Sequence, residues 1–312
     1  MTQTTKEIFE KYQVRKTKKQ KTAFIEYTKQ IAQHCGYDCK VEKGSLGARN
    51  IVIGNPDMAK VIYTAHYDTC ARLPFPNFMT PKSLSVYLLY QLLIVGVFFA
   101  LTFGLGFLVG FILSFTPAND DTVYLVVSLL SQVVCIALVY LLLCGPANKN
   151  TANDNTSGVT TIFDIMNELP QEQKDKVAFV LFDLEEVGLF GSSSFASKHK
   201  AIKENTLVIN FDCVSDGETI LFALKRTTEK YTELLEKAFV STPDITVDIA
   251  PKAFYPSDNF SFKGGIGVAS LKKSKRFGIL YMDRIHTSKD IIYREENIRF
   301  LTNGAITLAQ ML

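Results

Sequence analysis

Between Ser83 and Cys144 the chain carries only two charged residues, Asp120 and Asp121, and no other stretch of its 312 residues limits the fold as strongly. The two acids close Thr116-Pro-Ala-Asn-Asp-Asp121 and divide the stretch into apolar segments at about 84–115 and 122–144. A helix needs about 20 apolar residues to cross a bilayer, and each segment has them. The expectation is a two-helix transmembrane hairpin over 83–144; a hairpin buried in a soluble core is the alternative. The first segment is longer than a crossing needs, so its start, Val86 to Leu92, lies along the interface or tilts. Gly106 and Gly110 are spaced as a small-xxx-small pair, which lets helices approach closely. Arg72, Lys82 and Lys149 flank the base while the tip is acidic, so the positive-inside rule places the base and both termini in the cytoplasm of a two-span membrane protein. Both ends of a hairpin emerge on one side, so residues 1–82 and 145–312 can form one discontinuous domain.

Those flanking parts read as soluble. Their balance of charge leaves the whole chain at only +3, which gives no footprint for nucleic acid. Six cysteines at 35, 39, 70, 135, 144 and 213 show neither disulfide-framework nor zinc-knuckle spacing. Met1 to Lys43 is charged throughout, with a basic Arg15-Lys-Thr-Lys-Lys-Gln-Lys21, so no signal peptide is expected and the thiols are read as reduced. Lys6 to Gln33 spaces Phe9, Tyr12, Phe24, Tyr27 and Ile31 as one or two amphipathic surface helices do. His34 at the end of that region, and His199 between lysines, read as solvated helix-end histidines.

Short apolar runs ending on acids or histidines organise the rest. Asn50 to Gly54 and Lys60 to Ala65 read as two neighbouring strands separated by an Asn-Pro-Asp turn, the second delivering His66-Tyr-Asp68. Residues i and i+2 of an extended chain face one side, so the Asp68 carboxylate can reach the His66 imidazole and fix its tautomer. Ala152-Asn-Asp-Asn-Thr-Ser-Gly158 places Asp154 in a loop entering a helix at 159–169, although such a segment also reads as an ordinary N-cap. Lys176 to Phe182 is a buried strand followed by Glu185-Glu186 and a glycine turn. Adjacent acids beside a core repel each other. They make sense when one binds a cation and its neighbour handles protons. Asn205 to Phe211 is a strand ending on Asp212; Ser257-Asp258, Gly264-Gly-Ile266 and His286-Thr-Ser-Lys-Asp290 follow. Strands alternating with helices predict an α/β three-layer sandwich with a central mixed, mainly parallel sheet, and ligand-type residues recur at strand ends, where such sheets place their sites.

His66-x-Asp68, Asp154, Glu185-Glu186, Asp212 and His286, in that order, resemble the M28 family of di-zinc aminopeptidases. The Ala152–Gly158 loop looks like the family's bridging-aspartate loop and Glu185-Glu-Val-Gly-Leu-Phe-Gly-Ser192 like its Glu-Glu turn; the Ser257-Asp258 and His286…Asp290 segments look like its C-terminal signature. The resemblance covers roughly 50–70 and 150–300. M20 peptidases share the order of motifs, but the 74 residues from Asp212 to His286 are too few for their lid domain. The resemblance implies two Zn2+ ions, with Co2+ or Mn2+ as possible substitutes by donor type. His66 and Asp212 would hold one ion, Glu186 and His286 the other, and Asp154 both. Glu185 would be the general base and Asp68 would orient His66; no cysteine would be a ligand, Cys70 and Cys213 being small buried residues. A cis peptide would join Asp154 and Asn155.

The hairpin departs from that family. About ten residues separate Cys144 from Asp154, at most about 35 Å of extended chain. The site is therefore expected near the cytoplasmic membrane surface, trimming peptides released there, such as signal-peptide or pheromone remnants. The leading expectation is a membrane-anchored aminopeptidase that takes peptides with a free N-terminus. A glutaminyl-cyclase-like acyl transferase and a non-catalytic membrane receptor or scaffold are the alternatives. The hairpin is either a tether or also a homo-oligomer contact and substrate entry. Phe254, Tyr255 and Phe260 are candidates to line a specificity pocket, core packing being the other reading.

Overall fold

Val177–Phe182 is a fully buried strand whose residues alternate between two cores. Val177, Phe179 and Leu181 pack in the larger; Ala178, Val180 and Phe182 pack in the smaller. That is the period of two of an extended chain, and a strand apolar on both faces lies between two layers of helices.

The computed structural model describes residues 1–312, which divide into two compact units, Met1–Ser83 with Ala147–Leu312, and Leu84–Pro146. The first unit contains nine strands: β1 (Cys39–Lys43), β2 (Arg49–Ile53), β3 (Val61–His66), β4 (Val177–Phe182), β5 (Leu207–Phe211), β6 (Thr219–Leu224), β7 (Thr246–Pro251), β8 (Gly265–Lys273) and β9 (Leu280–Tyr281). They form one sheet in the order β1-β2-β4-β3-β5-β8-β6-β7, with β9 on β8. The four central strands, β4, β3, β5 and β8, are mutually parallel, and antiparallel pairings flank them. The helices are α1 (Gln3–Glu7) and α2 (Lys18–His34), then α3 (Leu84–Leu113) and α4 (Asp120–Cys144) of the second unit. The first unit resumes with α5 (Gly158–Glu168), α6 (Phe190–Lys198), α7 (Lys200–Asn205), α8 (Thr232–Ala238) and α9 (Glu295–Met311). Apolar residues of α2, α5, α8 and α9 fill the larger core and those of α6 and α7 the smaller, giving the three-layer α/β sandwich.

Two sequence expectations change. β2 and β3 are not neighbours: β4 lies between them, antiparallel to β2 and parallel to β3. A strand's own pattern encodes burial, not which strand it pairs with. The basic segment at 15–21 is not all surface either. Arg15 is fully buried, donating from Nε to the Tyr67 carbonyl at 2.5 Å and from a guanidinium nitrogen to the Tyr12 carbonyl at 2.7 Å. Lys21 is buried against Asp183 in an ion pair. A buried cation without such partners would be strongly unfavourable. Between them Thr17 caps α2: its hydroxyl accepts from the Gln20 amide at 3.3 Å while the Gln20 side chain accepts from the Thr17 amide at 2.9 Å, a capping box.

In the second unit α3 and α4 pack against each other through small residues. A Cβ on Gly106 would lie 2.5 Å from the Ser131 hydroxyl, and one on Gly110 would lie 3.1 Å from Val127. The Gly106/Gly110 pair is thus used within the hairpin. Both helices are long and apolar enough to cross a membrane, and their outer faces, including Phe103, Phe107 and Ile136, are exposed.

Candidate metal centre

The parallel strands β4, β3 and β5 are adjacent and end at one edge of the sheet, so His66, Asp212 and the Glu185-Glu186 turn arrive together. The loop before α5 supplies Asp154, and the segment after β9 supplies His286.

Asp154 stands at the centre. One of its carboxylate oxygens is 3.2 Å from Nε2 of His66 and the other is 3.2 Å from Nε2 of His286. Asp212 is 3.4 Å from the same nitrogen of His66, and Glu186 is 3.2 Å from that of His286. The donor atoms therefore form two clusters that share Asp154. The other carboxylate oxygen of Glu186, Oε1, is buried and has no hydrogen-bond partner, a costly arrangement that a cation would relieve. Nitrogen and oxygen donors in threes, with an acid common to both sets, are of the kind that holds divalent metal. The thiol of Cys70 also lies within the Asp154–Glu186–His286 cluster. That placement was not legible in the sequence, and burial holds the thiol well above its ordinary range.

Charge follows from this crowding. Burial pushes the Asp154 carboxyl up, but hydrogen bonds to His286 and His66 win and hold it well below the usual range. Burial would favour neutral imidazoles, yet the surrounding carboxylates raise both His66 and His286. Glu185 is raised well above a normal glutamate, first by burial and then by Asp212 and Glu186, with His66 opposing. It has no place in either cluster of donors.

Other side chains fix these positions. The Asp68 carboxylate accepts the backbone N–H groups of Glu185 and Glu186, at 3.1 and 3.3 Å, and so holds the Glu-Glu turn. Its nearest oxygen is 3.7 Å from Nδ1 of His66, which instead pairs with the Asp68 carbonyl at 3.1 Å. β3 ends at His66, so the extended geometry expected to carry the carboxylate to the ring stops short. Asp154 and Asn155 are joined by a cis peptide. Asn155 donates to the Phe211 carbonyl at 3.0 Å and accepts from the Gly158 amide at 3.0 Å, tying the loop to the end of β5. Only glycine fits at 158, where a Cβ would lie 2.3 Å from that same Phe211 carbonyl. Leu184, Cys213 and His286 hold positive φ angles of 57°, 58° and 64°. Such backbone costs of order 1–3 kcal/mol per residue and collects at functional sites.

The buried Asp290 carboxylate accepts the Asn153 and Asp154 amides at 2.8 and 3.0 Å. Groups that orient a ligand in this way typically carry 10–100-fold of metal affinity. Asp290→Ala is therefore expected to weaken metal binding by about that factor, measured by competition with a chromophoric chelator. Of the remaining candidates, Tyr255 is buried and donates to the Asp212 carbonyl at 3.0 Å, so it supports the site from behind. Phe254 and Phe260 are exposed and in edge contact with each other. His199 is not simply solvated: it stacks on Phe195 and lies 2.9 Å from Glu42. His34 is exposed at the end of α2.

Residues 121–310 match the family model described as peptidase family M28. The chain belongs to peptidase family M28. The matched region begins in α4, so it takes in Asp154, Glu185, Glu186, Asp212 and His286 and leaves out His66 and Asp68. Among solved structures the fold is similar to the LapA aminopeptidase of Legionella pneumophila, 15% identical over 98% of this chain and 69% of that one, with a TM-score of 0.57. A leucine aminopeptidase precursor from Bacteroides thetaiotaomicron is 14% identical over 97% and 93% of the two chains, TM-score 0.57. Glutaminyl cyclase from Porphyromonas gingivalis is 14% identical over 99% and 98%, TM-score 0.57. At these identities the likeness is one of fold, and the M28 fold carries both kinds of named activity.

Proposed function

We propose that this M28 protein is a membrane-anchored, zinc-dependent aminopeptidase that removes N-terminal residues from short peptides. The observation that carries the reading is the division of Asp154, one oxygen towards His66 and Asp212 and the other towards His286 and Glu186. Both halves of a two-ion site have their donors, which favours hydrolysis over the single-zinc chemistry of a cyclase. His66 and Asp212 would hold one ion, Glu186 and His286 the second, and Asp154 both. When bound, such a pair supplies Lewis acidity to the scissile carbonyl and acidifies water.

Glu185 is the residue left for the proton. Burial raises its carboxyl and the neighbouring acids add to the effect, which brings a carboxylate towards the basicity a general base needs. It takes the proton of the attacking water and returns it to the leaving amine. Asp68 keeps Glu185 in place through the backbone of the turn. Membrane anchoring is supported by α3 and α4, whose faces turned away from each other are apolar and exposed, a pattern suited to a non-aqueous surrounding. The flanking charges favour a cytoplasmic site, and the short chain between Cys144 and Asp154 keeps it near the bilayer.

Digestion of a peptide library by the purified, bilayer-reconstituted protein, read by mass spectrometry, tests this. Stepwise loss of N-terminal residues, with water added at each cut, is the expected result. Loss of ammonia from N-terminal glutamine would instead establish the cyclase, and inert peptides the scaffold. Faster trimming of lipid-partitioning than of hydrophilic peptides is expected if the site serves the membrane surface.

A further inference from the structure

β8 and β9 form a hairpin whose tip is Lys275-Arg276-Phe277-Gly278. The arms are set by pairing of Lys272 with Tyr281 and Lys273 with Leu280, and the turn by the Gly278 amide donating to Ser274 at 2.8 Å. At that tip Phe277 is 68% exposed, with Arg276 over its ring at 5.1 Å. An aromatic ring is an uncommon choice for a solvated turn, and Lys273, Lys275 and Arg276 around it are exposed as well. Three nearby acids are paired with cations, Asp283 with Lys272, Asp216 with Arg284 and Asp248 with Lys82. Glu218 accepts the Lys273 amide and keeps its charge, one acid against the three cations of Lys273, Lys275 and Arg276. The tip is thus a cationic surface with an apolar centre.

Its place in the chain path gives the tip a partner. Just beyond β9, Met282 pairs antiparallel with Met79, their amides and carbonyls 3.0 and 3.1 Å apart. Going back from Met282 towards Phe277 therefore runs alongside the chain going forward from Met79 to Ser83. Both paths stay together to the end, because Lys82 and Ser83 line one cleft with Lys273, Phe277 and Leu280. Leu84, the next residue, is the first of α3. The tip therefore shares one patch of the first unit with Ser83, the residue from which the chain passes directly into α3.

We propose that the Lys273–Phe277 tip docks on the anionic headgroups of the membrane that α3 and α4 span, with Phe277 inserted at the headgroup boundary. The proposal rests on the membrane reading above and adds to it a second, charge-dependent attachment of the peptidase unit. Lys and Arg near an anionic leaflet are attracted through its surface potential, and a ring beside them gains by partial burial. Two attachments would restrict the unit's tumbling where a tether alone would not.

The chain contains no tryptophan, so a substituted one is a sole reporter. Full-length Phe277→Trp protein would be reconstituted in phosphatidylcholine vesicles, with or without phosphatidylglycerol, carrying brominated acyl chains. Phe107→Trp, on the exposed face of α3, serves as the control for spanning. The expected result is quenching at 107 in both vesicles, but a blue shift and quenching at 277 only with the anionic lipid. The shift at 277 should be lost in high salt and in the Lys273→Glu/Lys275→Glu/Arg276→Glu background. Quenching at 107 with an unshifted, unquenched 277 in both vesicles would overturn the proposal and leave the membrane reading standing. Absence of quenching at 107 would overturn the membrane reading, and this proposal with it.

Discussion

Glu185→Gln is expected to lower peptide hydrolysis by roughly 10²–10⁴-fold, the usual worth of a positioned base, while metal content stays at the wild-type level. Glutamine keeps the size of the side chain and removes its ability to take a proton. The backbone of residue 185 is held independently, by its N–H on the Asp68 carboxylate at 3.1 Å, so the turn should keep its shape. Glu186→Gln gives the contrast. Glu186 is 3.2 Å from His286 and belongs to a donor cluster, so its loss should remove activity and metal together. Initial rates on a short peptide, with bound metal counted by mass spectrometry on the same samples, separate the two outcomes. Unchanged turnover in Glu185→Gln would refute the assignment of the base.

The site was legible where chemistry coincides with a strand end. His66, the Glu185-Glu186 turn and Asp212 each close an apolar run, and adjacency of β4, β3 and β5 then brings them together. Asp154 and His286 lie in loops and were placed by motif alone, since a loop's local sequence does not say where it will be carried. The same limit hid what Asp290, Asn155 and Cys70 touch, since those contacts join segments far apart in the chain. It also hid Arg15, which reads as one more basic surface residue until the Tyr67 and Tyr12 carbonyls surround it. The hairpin is the opposite case: two long apolar runs parted by Thr116–Asp121 set out α3 and α4 by themselves, because a continuous helix needs no distant segment to be read.

Stripping the metal should destabilise the protein, and by more as pH rises. In the metal-free state burial holds the Asp258 carboxyl up at about 7 and that of Asp290 at about 8, from an ordinary 3.8, with Glu185 and Glu186 also raised. An acid whose pKa is higher folded than unfolded keeps its proton in the native state over the interval in which the unfolded chain has lost it. The native state then binds more protons, and stability falls as pH climbs from about 4 to 8. The raised His66 and His286 act in the same sense: their contribution is complete below 6.5 and is lost as pH rises through their folded values. Asp68 and Asp154 are lowered and act oppositely, but their window closes below 3.8. Metal reverses the trend, since its donors bind deprotonated and affinity grows with pH. A ligand at a thousand times its Kd stabilises by about 4 kcal/mol. At ~2–4 °C per kcal/mol for a domain of this size, chelation at pH 8 should lower Tm by on the order of 10 °C. The gap should narrow at pH 5.5, and zinc should restore it in full where cobalt or manganese do so in part. Thermal unfolding of the reconstituted protein with and without chelator at the two pH values measures it. An equal Tm in all four conditions would mean that the clustered carboxylates tolerate one another without a cation, and the two-ion reading would fall with that result.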